Sequence, residues 1–95
     1  MHKKRNYNSL ERIIKGFANH HRLQILDLLK FQPELSVVEI SEILNVNLKT
    51  ISEHVQKLAI AGLVIKRHSG KSVRHKLTPR SKIVLTFLRT LECQT

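Results

Sequence analysis

A chain of 95 residues with 17 Lys and Arg against 7 Asp and Glu reads as one small basic domain, with a net charge of +10 at pH 7. That excess points to a polyanionic partner; no apolar run approaches the ~20 residues that span a bilayer, and the opening MHKKRNYNSL lacks a signal peptide's apolar core, so a cytoplasmic setting is expected. The single Cys93 excludes an internal disulfide framework, and with Asp27 the only Asp and no Gly-rich phosphate loop, no enzyme is expected.

Residues 1–7 read as a flexible basic tail and residues 8–95 as the folded domain. Leu10, Ile13, Ile14 and Phe17 recur at the i, i+3, i+4, i+7 spacing of an amphipathic helix, with Asn8 or Ser9 as its cap. Asn19 then caps a second helix, HHRLQILDLLKF, whose Leu23, Ile25, Leu26, Leu28 and Leu29 are apolar nearly all round; it is the expected central core helix. Pro33 ends it, because proline disfavours helical geometry in the residue before it.

Residues 37–58, VVEISEILNVNLKTISEHVQKL, carry the most information. Val37, Ile40, Ile43 and Leu44 share one helical face, and Ile51, Val55 and Leu58 share another. Ser36 caps the first of these helices, with Glu39 three residues on as a capping box. Asn45 suits the left-handed conformation that ends a helix, and Asn47 caps the next. Two helices joined by so tight a turn form a helix-turn-helix, whose second helix enters the DNA major groove.

Gly62 stops that helix. Residues 63–68 and 72–78 flank Ser69-Gly70-Lys71 as a β-hairpin. Thr78 caps a last helix with Pro79 at its first position, and Ile83, Val84, Phe87, Leu88 and Leu91 give it an apolar stripe. The expected fold is mainly α with a small β-hairpin: a winged helix-turn-helix.

Double-stranded DNA is the expected partner. The second helix of the motif presents Leu48, Lys49, Thr50, Ser52, Glu53 and Gln56 away from its core face. Lys49 can donate to guanine or phosphate, Gln56 can pair with adenine, Glu53 can accept from cytosine, and Thr50 and Ser52 can bond either way. The ordinary alternative is a solvated helix face, and Glu53 would be repelled by phosphates. Residues 66–82 hold seven Lys and Arg and no acid. Arg67, Lys71, Arg74 and Lys76 are the expected wing contacts to the backbone or minor groove, although lysines also protect strand edges.

His54, beside Val55, is expected to be a part-buried structural residue. His20-His21, His68 and His75 invite a metal reading, but adjacent helical histidines diverge by about 100° and no thiol or carboxylate joins them at ligand spacing; no metal or other cofactor is expected. Their protonation below neutral pH would add to DNA affinity. Leu10, Ile14, Phe17, Val84, Phe87, Leu88 and Leu91 are the candidate surface for a symmetric dimer.

With this order in view the chain resembles the ArsR-type winged-helix transcriptional repressors over roughly residues 10–91. FANHHRLQIL is similar to the family's LADPTRLRIL, with Arg22, Leu23, Ile25 and Leu26 at matching positions and His20 in place of the proline. EISEILNVNLKTISEHVQKLAIAGLV is similar to DLAEALGLSQSTVSHHLKVLREAGLV, and RHSGKSVRHKLT to the family's wing. The resemblance implies a repressor that dimerises through its terminal helices. It also implies where metal would be sensed: at a Cys-x-Cys opening the helix before the turn, or at Asp, His and Glu on the last helix. Here Ser36 and Val38 replace the thiols, and residues 79–95 contain no Asp or His. A regulator lacking both usual metal sites is expected, its effector unknown. Two other readings compete, an RNA-binding or architectural protein and a protein-interaction module. Against the first, Tyr7, Phe17, Phe31 and Phe87 are expected on core faces or in the tail, which leaves no stacking platform.

Overall fold

The computed structural model describes residues 4–95. Its elements run α1 (Tyr7–Phe17), α2 (His20–Phe31), α3 (Val37–Leu44), α4 (Leu48–Ile60), β1 (Val64–Ser69), β2 (Ser72–Leu77) and α5 (Pro79–Glu92). The first three residues of the expected tail lie outside the described residues.

Local chemistry places the helix ends. Asn19 Oδ1 accepts from the His21 and Arg22 N–H groups. Ser36 and Glu39 exchange side-chain and backbone bonds as a full capping box. Asn45 takes the left-handed conformation, with φ 54° and ψ 48°, and Asn47 caps α4. Thr78 caps α5 with Pro79 in its first turn, and Gly62 adopts φ 75° where the chain leaves α4 for β1. Each side-chain cap contributes about 0.5–2 kcal/mol. One end differs from expectation: α1 starts at Tyr7, capped by Asn6, whose Oδ1 accepts from Ser9 N–H at 3.0 Å. Tyr7 and Asn8 are exposed and Ser9 is half-buried, and no aliphatic residue precedes Leu10, where the apolar periodicity begins.

The core forms where α2 meets α3, α4 and α5. Ile25, Leu26 and Leu29 of α2, Ile40 of α3, and Ile51, Val55 and Leu58 of α4 are fully buried together with Leu63. Burial of such side chains stabilises by about 1.5–3 kcal/mol each. Helix α1 lies against α4 at backbone distance: a Cβ on Gly16 would fall 2.4 Å from that of Ala61. Nothing in the sequence pattern had marked Gly16.

The hairpin is antiparallel, with Val64 opposite Leu77, Arg67 opposite Arg74 and Ser69 opposite Ser72, and it turns through Gly70-Lys71 with Gly70 at φ 61°. The first strand is displaced by a residue from the expected one, starting at Val64 and taking in Ser69, while the second starts at Ser72 as expected and ends a residue early, Thr78 serving as the cap of α5. Loop 32–36 adds an unexpected third contact. Glu34 N–H donates to His75 O and His75 N–H to Leu35 O, both at 3.0 Å, so Leu35 bridges the wing's inner strand to the body of the domain.

Candidate nucleic-acid interface

Helix α4 separates its two faces sharply. Ile51, Val55 and Leu58 point inward and seat it on α2 and α3. Lys49, Glu53 and Gln56 recur at i, i+4 and i+7, so they form one exposed stripe opposite the buried one. Leu48 is exposed beside them, while Thr50 and Ser52 are half-buried at the stripe's edges. The Asn47 side chain accepts from Lys49 N–H at 2.8 Å and Thr50 N–H at 3.4 Å, which fixes the first turn where Lys49 and Thr50 stand. All six residues named from the sequence are thus on the solvent side or its margins. None of the six side chains is engaged in a hydrogen bond or ion pair among the described residues.

The wing is built differently. Arg67 and Arg74 face each other directly across the strands, an arrangement that repels unless something neutralises it. Glu34 does so from the loop after α2. Arg67 Nε donates to Glu34 Oε1 at 2.7 Å, a second Arg67 nitrogen donates to Oε2, and an Arg74 guanidinium N–H donates to the Glu34 carbonyl at 3.0 Å. A bidentate carboxylate–guanidinium pair is the strong form of this bond. The Arg67 hydrogen bonds hold the Glu34 carboxyl below the usual carboxylate range, helped by the charges of Arg67, Lys76 and Arg74. Glu34 adopts a left-handed φ of 69° to do this. Of the four wing cations, Lys71 at the turn is exposed, and Lys76 is exposed at the rim of a cleft beside α5. The acid-free run 66–82 hid this partner, which lies 33 residues from Arg67 in the chain.

The histidines divide. His54 is half-buried; Arg22 Nε donates to its Nδ1 at 3.0 Å, while another Arg22 nitrogen donates to Lys15 O at 2.9 Å. Since arginine only donates, Nδ1 accepts and the proton of the neutral ring sits on Nε2. Burial, then the charge of Arg22, lowers the His54 pKa. His75 corrects the expectation that its protonation would add to DNA affinity: it is 2% exposed and its Nδ1 donates to Leu35 O at 2.8 Å. Burial lowers its pKa against the opposing effect of that bond. His68 alone of the hairpin histidines is exposed. Among the described residues no three His, Cys, Asp or Glu side chains converge as a metal cluster.

The terminal helices leave apolar surface in the open. Leu10 and Ile14 of α1 and Phe87 and Leu91 of α5 are exposed, and Phe17 and Leu88 are half-buried against the core. Val84 corrects the expected interface set: at 7% exposure it belongs to the chain's own core, while its neighbour Ile83, at 71%, faces outward. An apolar stripe five residues wide wraps beyond one face of a helix, so spacing could not divide the two. Tyr7, Phe31 and Phe87 are all exposed, and of these Phe31 departs from expectation, which places it on a core face. Phe31 closes α2 two residues beyond the last buried Leu29, which turns it to the opposite side of the helix, and Lys30 Nζ stands 5.8 Å from its ring centroid.

Residues 19–66 match the family model of bacterial regulatory proteins of the arsR family. The chain is 36% identical over 83 residues to the transcriptional activator HlyU of Vibrio cholerae serotype O1, covering 86% of this chain and 76% of that protein. It is 34% identical over 77 residues to the putative arsenical resistance operon repressor ArsR of Halobacterium salinarum, covering 80% of this chain and 60% of that one. The solved structure of Vibrio cholerae HlyU superposes with a TM-score of 0.79 at 33% identity, covering 96% of this chain and 99% of that chain. The homodimeric winged helix-turn-helix DNA-binding domain of Mb0332 from Mycobacterium bovis, a possible ArsR-family regulator, superposes with a TM-score of 0.83 at 28% identity, covering 99% and 92%.

Proposed function

We propose, since this chain belongs to the arsR family of bacterial regulatory proteins and is a DNA-binding transcriptional regulator, that it acts as a homodimer reading a pseudo-palindromic duplex and represses transcription there. The unengaged stripe Lys49–Glu53–Gln56 on a rigidly seated α4 carries this reading. Lys49 donates to guanine or phosphate, Gln56 pairs with adenine and Glu53 accepts from cytosine, with Leu48, Thr50 and Ser52 at the margins of the contact. The wing supplies phosphate contacts through Lys71 first. Arg67 and Arg74 join it where phosphate oxygens replace Glu34, and Lys76 adds positive charge behind them.

Leu10, Ile14, Ile83, Phe87 and Leu91 supply the apolar patch that a second chain would cover, with Phe17 and Leu88 at its base. Two α4 helices would then read successive major grooves about 34 Å apart. The homodimeric state of the Mb0332 domain supports the same arrangement. Occlusion of a promoter needs only these two surfaces, and the relatives include both a named activator and a named putative repressor. The thiol pair of metal-sensing members has no counterpart here: Ser36 is engaged in the α3 cap and Val38 is an exposed hydrocarbon.

Selection of bound sequences from a random duplex pool, with and without divalent metal, tests the whole reading. The expected outcome is an inverted repeat with half-sites one helical turn apart, unchanged by metal. Absence of any preferred sequence sinks it. Transcription in vitro from the selected site then fixes the sign of regulation, and sedimentation fixes the dimer.

A further inference from the structure

A second concave surface lies beside the wing, away from the exposed stripe of α4. Between α2, β2 and α5 lies a cleft of about 580 Å³, within the ~300–1,000 Å³ range of small-molecule sites. Leu29, Leu77, Leu85 and Leu88 form its floor. Phe31 stands in its wall, 78% exposed, a large apolar ring left uncovered. Four cations rim it, Lys30, Lys76, Lys82 and Arg89, against the two carboxylates of Asp27 and Glu92. None of these six charged groups forms an ion pair among the described residues.

We propose that this cleft binds a small organic carboxylate with an apolar body, such as a medium-chain acyl acid. The apolar body would displace water from the leucine floor and the Phe31 ring, the burial that drives such binding. The carboxylate would meet unpaired ammonium or guanidinium groups on three different elements, in a charge-assisted contact that a neutral head group forgoes. A cationic head group meets net repulsion instead.

The cleft and the apolar patch of the terminal helices share Leu88, half-buried beneath both, and otherwise use different residues of α5. Lys82, Thr86 and Arg89 form one stripe of α5 by their i, i+4, i+7 spacing, while Ile83 and Phe87 lie about 100° round the helix. A second chain seated on Ile83 and Phe87 therefore leaves the stripe open. The Thr86 hydroxyl donates back to Lys82 O at 3.0 Å, so it adds no donor to the cleft. The proposal does not rest on the DNA-binding reading, but the two sites adjoin through β2, which carries Arg74 and Lys76, the latter both a wing cation and a cleft residue.

Calorimetric titration of the full chain with octanoate, octanol and octylammonium tests the proposal. Octanoate is expected to bind once per chain, octanol about tenfold more weakly, and octylammonium not at all. Thr86→Trp, an exposed helix position that fills the cleft, should abolish binding with the melting temperature retained. The double variant Lys30→Glu and Lys82→Glu should weaken octanoate and leave octanol unchanged. Failure of octanoate to bind, equal binding of octylammonium, or octanoate binding unaltered by Thr86→Trp overturns the proposal. So does a fall in sedimented mass on Thr86→Trp, which would make the cleft a contact between copies.

Discussion

Helix α4 and the wing both turn polar side chains to solvent, yet they are prepared for a polyanion in opposite ways. The stripe Lys49–Glu53–Gln56 is held from behind by Ile51, Val55 and Leu58 and has no internal partner. The wing arginines have theirs already: Glu34 takes both of them. A contact by α4 adds bonds to a surface that had none, whereas a contact by Arg67 exchanges one anion for another. Base contacts discriminate and phosphate contacts position, so the free face is suited to selectivity and the neutralised one to a graded, salt-sensitive grip.

Four substitutions and a pH series separate the two regions, from the largest expected effect down. Leu58→Ala unseats α4 from behind and should cost about 2–5 kcal/mol, measured as a lower urea midpoint; a loss confined to DNA binding would show that the seat is not structural. Lys49→Ala should cost about 1–3 kcal/mol on a selected duplex and much less on a random one, by fluorescence anisotropy at fixed salt. Lys71→Ala should instead weaken both duplexes alike and reduce the log–log salt slope by about 0.9. Glu34→Gln takes the carboxylate from Arg67, while the Arg74 bond to the residue-34 backbone carbonyl stays: binding to any duplex should tighten and the salt slope steepen, with little change in the urea midpoint because the pair is open to solvent screening. A weaker, sequence-independent affinity for Glu34→Gln would mean that Glu34 orders the wing more than it competes with DNA.

The pH series distinguishes the anchoring of the two regions. Both His54, beside α4, and His75, under the wing, have pKa values lowered from the ordinary 6.5 by burial. As pH falls the unfolded chain takes up protons first, so stability is full above about 6.5 and declines as pH drops toward the depressed folded values. Urea midpoints between pH 8 and 5 should trace that decline, and His54→Gln should flatten it.

What could be read from the residues alone follows the range of the interactions. The caps at Asn19, Ser36, Asn47 and Thr78 and the left-handed Asn45 were legible because each acts within three residues of its own position. The six outward residues of α4 were legible from a single period. Asn6 was hidden because no apolar residue marks the first turn of α1. Glu34 and the burial of His75 depend on partners 33 and 40 residues distant, which no window of periodicity contains. Val84 and Ile83 are adjacent and equally apolar, so only the packing of α5 on the core tells them apart. Gly16 is legible only once Ala61 is seen to approach it; a larger residue there should cost about 1–3 kcal/mol through overpacking.

The Leu35–His75 bridge bears on how this fold can be recombined. Because β2 is hydrogen-bonded to the Glu34-Leu35 backbone, the wing is a three-segment object rather than a hairpin between two helices. A chimera that imports residues 64–77 from a relative imports strands without the edge they dock on. Its hairpin should be misaligned unless residues 33–35 travel with it, so in this architecture the natural cassette for exchanging wings is discontinuous in the gene.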